Sequence, residues 1–149
     1  MSRPAWSRVA DMGALRTSRL ASTTVADAMH PGVHSCSADA TLSEVAEIMA
    51  ERHVHAVVVA DGQVDTRHVG MISDLDLIAA ATVRDLDAQV AGGSAGSRVL
   101  TVAPSDSLEH AAQLMTRHGT AHLLVVDPGD DRPRGVISTL DIVNALVDV

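Results

Sequence analysis

The sequence predicts an α/β protein made of two copies of one unit, and three observations carry that prediction. The stretch Gly70-Met-Ile-Ser-Asp-Leu-Asp76-Leu-Ile78 returns near the C-terminus as Gly135-Val-Ile-Ser-Thr-Leu-Asp141-Ile-Val143. Leu42-Ser-Glu-Val-Ala-Glu-Ile-Met49 returns 66 residues later as Leu108-Glu-His-Ala-Ala-Gln-Leu-Met115. Between these landmarks each copy holds a dense β-branched or aliphatic run that ends in turn residues.

Taken in order, the chain opens with residues 1–23, where Trp6, Val9, Met12 or Gly13, and Leu15 recur at roughly helical spacing. A short helix with a flexible exit is expected there, docked on the body or frayed in solution. Thr24-Val-Ala-Asp27 is echoed by Thr82-Val-Arg-Asp85, and the extended segment Val33-His-Ser-Cys36 by Val99-Leu-Thr-Val102. Leu42, Val45, Ala46 and Met49 share one helical face, as do Leu108, Ala111, Ala112 and Met115, so each copy carries an amphipathic helix with its methionines as core filler.

Val54 to Val59 and Ala121 to Val126 read as buried strands, each followed by a turn at Asp61-Gly62 or Asp127-Pro-Gly129. A further strand then enters the repeated Gly…Ser-x-x-Asp motif, and helices follow over Leu75 to Ala81 and Leu140 to Val147. Each half is therefore a small three-stranded sheet packed against two helices, and the halves are related by a pseudo-two-fold. Val90-Ala-Gly-Gly-Ser-Ala-Gly-Ser97 reads as a linker. The boundaries expected are a basic tail over 1–23, a first repeat over 24–82, a connecting segment over 83–98 that begins the second repeat, and a second repeat over 99–149. Half a chain of this size cannot cover its own sheet, so the copies are expected to pack on each other.

Composition narrows the function. With 149 residues and 46% hydrophobic content, the chain can fill a core, but it has no Phe or Tyr and a single Trp, which removes the stacking platforms used for single-stranded nucleic acid. Its 11 basic residues, all arginine, face 19 acids for a net charge of -8, which argues against a broad nucleic-acid face. Arg3, Arg8, Arg16 and Arg19 make the tail basic against an acidic body, so the tail is expected to fold onto that body or onto a partner subunit. One cysteine, Cys36, excludes an internal disulfide, and the absence of a long apolar run predicts no membrane span and a cytoplasmic protein.

Ser-x-x-Asp at the start of a helix has two readings. A helix N-terminus offers unpaired N–H groups and partial positive charge, which suits a phosphate or a hydroxyl-rich ligand. The same spacing also suits a capping box, in which side chains and backbone satisfy each other.

The order of elements, with G-h-h-S-x-x-D-h-h closing both copies, resembles the CBS domain, named after cystathionine β-synthase and found in tandem as a Bateman module. The resemblance covers roughly residues 24 to 149 and identifies the fold class as a tandem CBS-domain pair. It implies that Asp76 with Ser73, and Asp141 with Ser138, contact the ribose of an adenosine ligand such as AMP, ADP or ATP. A carboxylate accepts well from two vicinal hydroxyls.

It also implies composite sites. The Asp141 corner would face Val33, His34 and the strand from Val54 to Val57, and the Asp76 corner would face Leu100, Thr101 and the strand from Thr120 to Leu123. His55 and His122 stand near the expected phosphate ends, where protonation would strengthen phosphate binding as pH falls toward about 6.5. Proline is common in the family where this chain has Val58 and Leu124, and glycine precedes the second strand as Gly119 but is His53 in the first copy. A homodimer packed through the repeat helices is implied as well.

Catalysis is not expected, and no redox cofactor is implied. Cys36 has no base paired with it in sequence, and Ser73 and Ser138 lack a Gly-x-Ser-x-Gly elbow. The function expected is a regulatory nucleotide sensor that signals through repeat packing or a protein partner. One alternative is a ligand-free interaction scaffold whose corners only cap helices. Another is a zinc-responsive protein using His34 and Cys36, with His30 nearby and His53 and His55 on one side of a strand, although the spacing matches no compact ligand motif.

Overall fold

The computed structural model of the chain describes residues 19–60, 70–95 and 99–147, so the predicted tail helix from Trp6 to Leu15 lies outside the described residues. In chain order the elements are α1 (Val25–Ala28), β1 (His30–Pro31), β2 (Ser35–Cys36), α2 (Leu42–Arg52), β3 (Ala56–Val59), β4 (Gly70–Ser73) and α3 (Asp74–Ala81). A 3-10 turn (Leu86–Ala88) leads to α4 (Ala91–Ser94), β5 (Thr101–Val102), α5 (Leu108–His118), β6 (His122–Val126), β7 (Pro133–Ser138) and α6 (Thr139–Val147). The α/β duplication expected from the sequence is borne out.

The long helices start where the capping chemistry puts them. Thr41 accepts from Glu44 N–H at 3.2 Å while the Glu44 carboxylate accepts from Thr41 N–H at 3.3 Å, a reciprocal box that satisfies two orphan donors of α2. Ser107 caps α5 through His110 N–H at 3.1 Å. Both helices end on a left-handed residue, His53 (φ 55°) in the first copy and Gly119 (φ 63°) in the second. His53 therefore lies in a helix cap, not on a strand face shared with His55.

Two sheets form. In one, β2 runs parallel to β3 and β3 antiparallel to β4; in the other, the order is β1-β7-β6-β5. The second sheet thus has four strands where three were expected. The extra one is β1, which comes from the first half and pairs antiparallel with β7, His30 opposite Val136 and Pro31 opposite Gly135.

Strand alternation divides the core into three parts. Val57 and Val59 point to α2 and share a buried cluster with Leu42, Val45, Met49 and Ile72. Leu123 and Val125 do the same in the second half with Leu108, Ala111, Met115 and Ile137. The intervening residues Val58, Leu124 and Val126 face the other way and meet in a third cluster, flanked by Val33, Met71, Val99 and Val136, which glues the two sheets together.

The leading segments are exchanged between the halves. Val25, fully buried, completes the second core, where Val25 N–H donates to Asp106 O at 2.8 Å and Ala26 N–H to Pro104 O at 2.9 Å. Ala91 completes the first core in the same way, donating to Ala40 O at 2.8 Å, while Gly92 N–H donates to Ala38 O at 2.9 Å. The segment read as a linker is accordingly structural over Ala91–Ser94, a helical turn whose first residue is fully buried. Gly92 is required by close approach: a Cβ there would stand 2.9 Å from the Ala38 Cβ.

Candidate functional site

Each Ser-x-x-Asp motif sits where an apolar strand meets a helix. At the first, Asp76 accepts from Ser73 N–H at 2.9 Å and Ser73 Oγ accepts from Asp76 N–H at 3.2 Å. At the second, Asp141 accepts from Ser138 N–H at 2.8 Å and Ser138 Oγ from Asp141 N–H at 3.2 Å. Both are complete capping boxes, so serine and aspartate are held in fixed rotamers before any ligand arrives.

Both corners open on cavities lined by the two halves together. The Asp76 corner, with Ser73 and Asp74, borders a space of about 420 Å³ closed on the other side by Val99, Leu100 and residues of the His118–His122 stretch. The Asp141 corner, with Ser138, borders a smaller one of about 240 Å³, closed by His34, Arg52 and the Val54–Ala56 segment. His122 lines both cavities.

Four of the expected residues line these walls: His34 and His55 in the Asp141 cavity, Leu100 in the Asp76 cavity, and His122 in both. Three do not. Val57 is fully buried and turned toward α2, because alternation along β3 gives Ala56 to the cavity instead. Val33 packs in the cluster between the sheets. Thr101 is exposed on β5 and lies outside the wall, which Val99 and Leu100 form.

The electrostatics of the two corners differ. Asp141 is the buried charged residue of the described core, and His30 Nδ1 stands 3.0 Å from its Oδ1; the two side chains are 78% and 4% exposed. Asp76 is exposed, and among the described residues its carboxylate bonds only the Ser73 N–H. Asp74 pairs instead with His55, Oδ2 to Nδ1 at 3.0 Å. Desolvation pushes the His122 pKa below the usual histidine value, outweighing the upward pull of Asp74, Asp141 and Asp76, so His122 is biased toward the neutral imidazole. Burial, assisted by Glu44, raises the Cys36 thiol pKa and makes it a poor nucleophile.

Sequence reasoning did not place His30, Arg52 or Asp74 at these cavities. His30 arrives through a two-residue strand too short to leave a pattern, whereas Arg52 and Asp74 occupy the end and the start of helices whose extents were readable. Among the described residues no three of His, Cys, Asp or Glu gather as metal ligands. His34 lines the cavity while Cys36 packs against the first core, so the pair considered for zinc does not converge with a third ligand.

The sequence matches the CBS domain family twice, over residues 25–82 and 95–148. The chain belongs to the CBS-domain family. A CBS domain-containing protein of Bacillus subtilis, YhcV, is 32% identical over 106 residues, spanning 70% of this chain and 74% of that protein. The ATP complex of the CBS domain from a bacterial CNNM/CorC family Mg2+ transporter superposes with a TM-score of 0.75 at 20% identity, covering 94% of this chain and 97% of the other. The CBS domain pair of protein MJ0100, in complex with 5'-methylthioadenosine and S-adenosyl-L-methionine, gives a TM-score of 0.70 at 21% identity, covering 82% and 94%. In CBS terms, the two cavities lie between repeats, each with a Ser-x-x-Asp corner from one repeat and the start of the central strand from the other. No helix among the described residues is long and apolar enough to cross a membrane.

Proposed function

We propose that this tandem CBS module is a non-catalytic regulatory sensor that binds an adenosine nucleotide, AMP, ADP or ATP, in the clefts between its repeats. One observation carries the reading: each preorganised carboxylate borders a cavity whose far wall belongs to the other repeat. A ligand bridging the two walls favours the packing in which both are correctly placed, and that difference in affinity is the signal. Ribose hydroxyls would be taken by Asp76 and Asp141, and phosphates by the Arg52 guanidinium, with the imidazoles of His34 and His55 beside it, at the Asp141 cleft. Two solved CBS domains of the same fold hold ATP, or methylthioadenosine and S-adenosylmethionine, which supports this class of ligand.

The module is proposed to act as a homodimer. Leu75 and Ile78 on α3, Val83 just after it, and Leu140, Val143 and Val147 on α6 are 49–76% exposed, apolar surface on both repeats that a second copy would cover. Calorimetric titration of ligand-stripped protein with AMP, ADP, ATP, S-adenosylmethionine and NADH tests the sensor reading. Binding abolished by Asp76→Asn together with Asp141→Asn supports it; silence with all five ligands rejects it.

The second reading is a ligand-free interaction scaffold, favoured by the fact that both Ser-x-x-Asp pairs form complete capping boxes on their own. A scaffold keeps its partner when both aspartates become asparagine and shows no nucleotide response.

A further inference from the structure

We infer that His30 sets the two clefts unequal: it closes the Asp141 corner, so that a ribose enters the Asp76 corner first and the Asp141 corner only when His30 swings away. The inference rests on the reading of the corners as nucleotide sites and adds the residue that ranks them.

The geometry is specific. A ribose diol needs the carboxylate oxygens of the corner aspartate. At Asp141 one oxygen is held by the Ser138 N–H and the other by His30 Nδ1, leaving a side chain only 4% exposed. At Asp76 the second oxygen has no partner among the described residues. The inter-repeat cavity that Asp141 shares with Ser138 is also the smaller of the two clefts, about 240 Å³ against about 420 Å³, below the roughly 300 Å³ at which ordinary ligand pockets begin; a separate space of about 390 Å³ on the far side of Asp141 is walled by Arg19, Asp27 and Asn144 and does not reach Ser138.

His30 is placed there by the fold. Pairing of β1 with β7 sets Pro31 opposite Gly135, and a side chain at 135 would run into the His30 carbonyl oxygen, so the glycine that opens the repeated motif gives β1 its room. In the sequence the residue 66 positions on from His30 is Gly96, so the repeat carries no second histidine at that position. The His30 side chain is 78% exposed, and among the described residues its imidazole has Asp141 as its one polar partner, which suits a group that can leave. Displacing a hydrogen bond between charged or polar groups costs about tenfold or more in affinity.

Calorimetry with AMP, repeated with ATP, on wild type, His30→Ala, Asp76→Asn and Asp141→Asn tests this. The expected wild-type result is two classes of site at least about tenfold apart, the tighter one lost in Asp76→Asn. His30→Ala, a change at an exposed side chain, should tighten the weaker class about tenfold and leave the other unchanged. Two equal classes in wild type, or no change in His30→Ala, overturns the inference while leaving the nucleotide reading intact. Absence of binding by either nucleotide in all four proteins overturns both.

Discussion

His53 and Gly119 hold the same post, each closing the long helix of its repeat in a left-handed conformation and donating its N–H to a methionine carbonyl, Met49 in one case and Met115 in the other. Glycine takes this conformation without a Cβ penalty, whereas a residue with a side chain pays about 1 kcal/mol. His53→Gly should therefore stabilise the protein by up to about 1 kcal/mol, and Gly119→Ala should destabilise it by a similar amount. Urea unfolding of the two variants beside wild type measures both; a destabilised His53→Gly would mean that the imidazole makes compensating contacts.

Gly92 illustrates the opposite requirement, for space and not for dihedral freedom. Its Cβ position is 2.9 Å from the Ala38 Cβ and 3.2 Å from the Ala38 carbonyl oxygen. Gly92→Ala should cost about 1–3 kcal/mol despite the better helix propensity of alanine, because overpacking outweighs a gain of under about 1 kcal/mol. Gly93, which has open space around it, is the control: Gly93→Ala should be neutral or stabilising.

Acid should weaken the fold through His122. Burial depresses its pKa in the native state, so below about 6.5 the unfolded chain takes up a proton more readily than the folded one. The stability contributed by the neutral imidazole is complete above that pH and is lost as pH falls through the native value. His122→Gln should flatten this part of the profile, followed by denaturant midpoints between pH 7.5 and about 5. An unchanged slope would assign the acid sensitivity to other groups.

The exposed apolar side chains Leu75 and Ile78 on α3 and Leu140 and Val143 on α6 predict self-association. Ile78→Glu with Leu140→Glu should shift sedimentation equilibrium from dimer to monomer, with dissociation at least about tenfold easier. Both side chains are more than half exposed, so the monomer should keep its circular dichroism spectrum. A wild-type protein that sediments as a monomer would remove the homodimer from the proposal.

Much of this architecture could be read from the sequence because it obeys short-range rules. The spacing of Leu42, Val45 and Met49 gives a helix and its buried face, and Ser73 with Asp76 announces a helix start. The reading failed where a residue's neighbour is distant. The resemblance implies Val57 at the cleft, and the run of four buried residues, Ala56 to Val59, has no polar member to correct it by revealing which face is which. Ala91–Ser94 looked like linker because Gly92 and Gly93 are weak helix formers, and only contact with Ala38 and Ala40 explains the turn. His30 stood beside the motif carboxylate unnoticed, since a strand two residues long carries no periodicity.

The crossing of the leading segments makes the two halves depend on each other. Because Val25 fills the second repeat and Ala91 the first, severing the backbone after Thr82 yields two polypeptides that each carry the plug for the other's hole. Neither piece alone is a complete globule, and co-expressed they should recombine into one, a ready-made split protein whose joining could report on proximity.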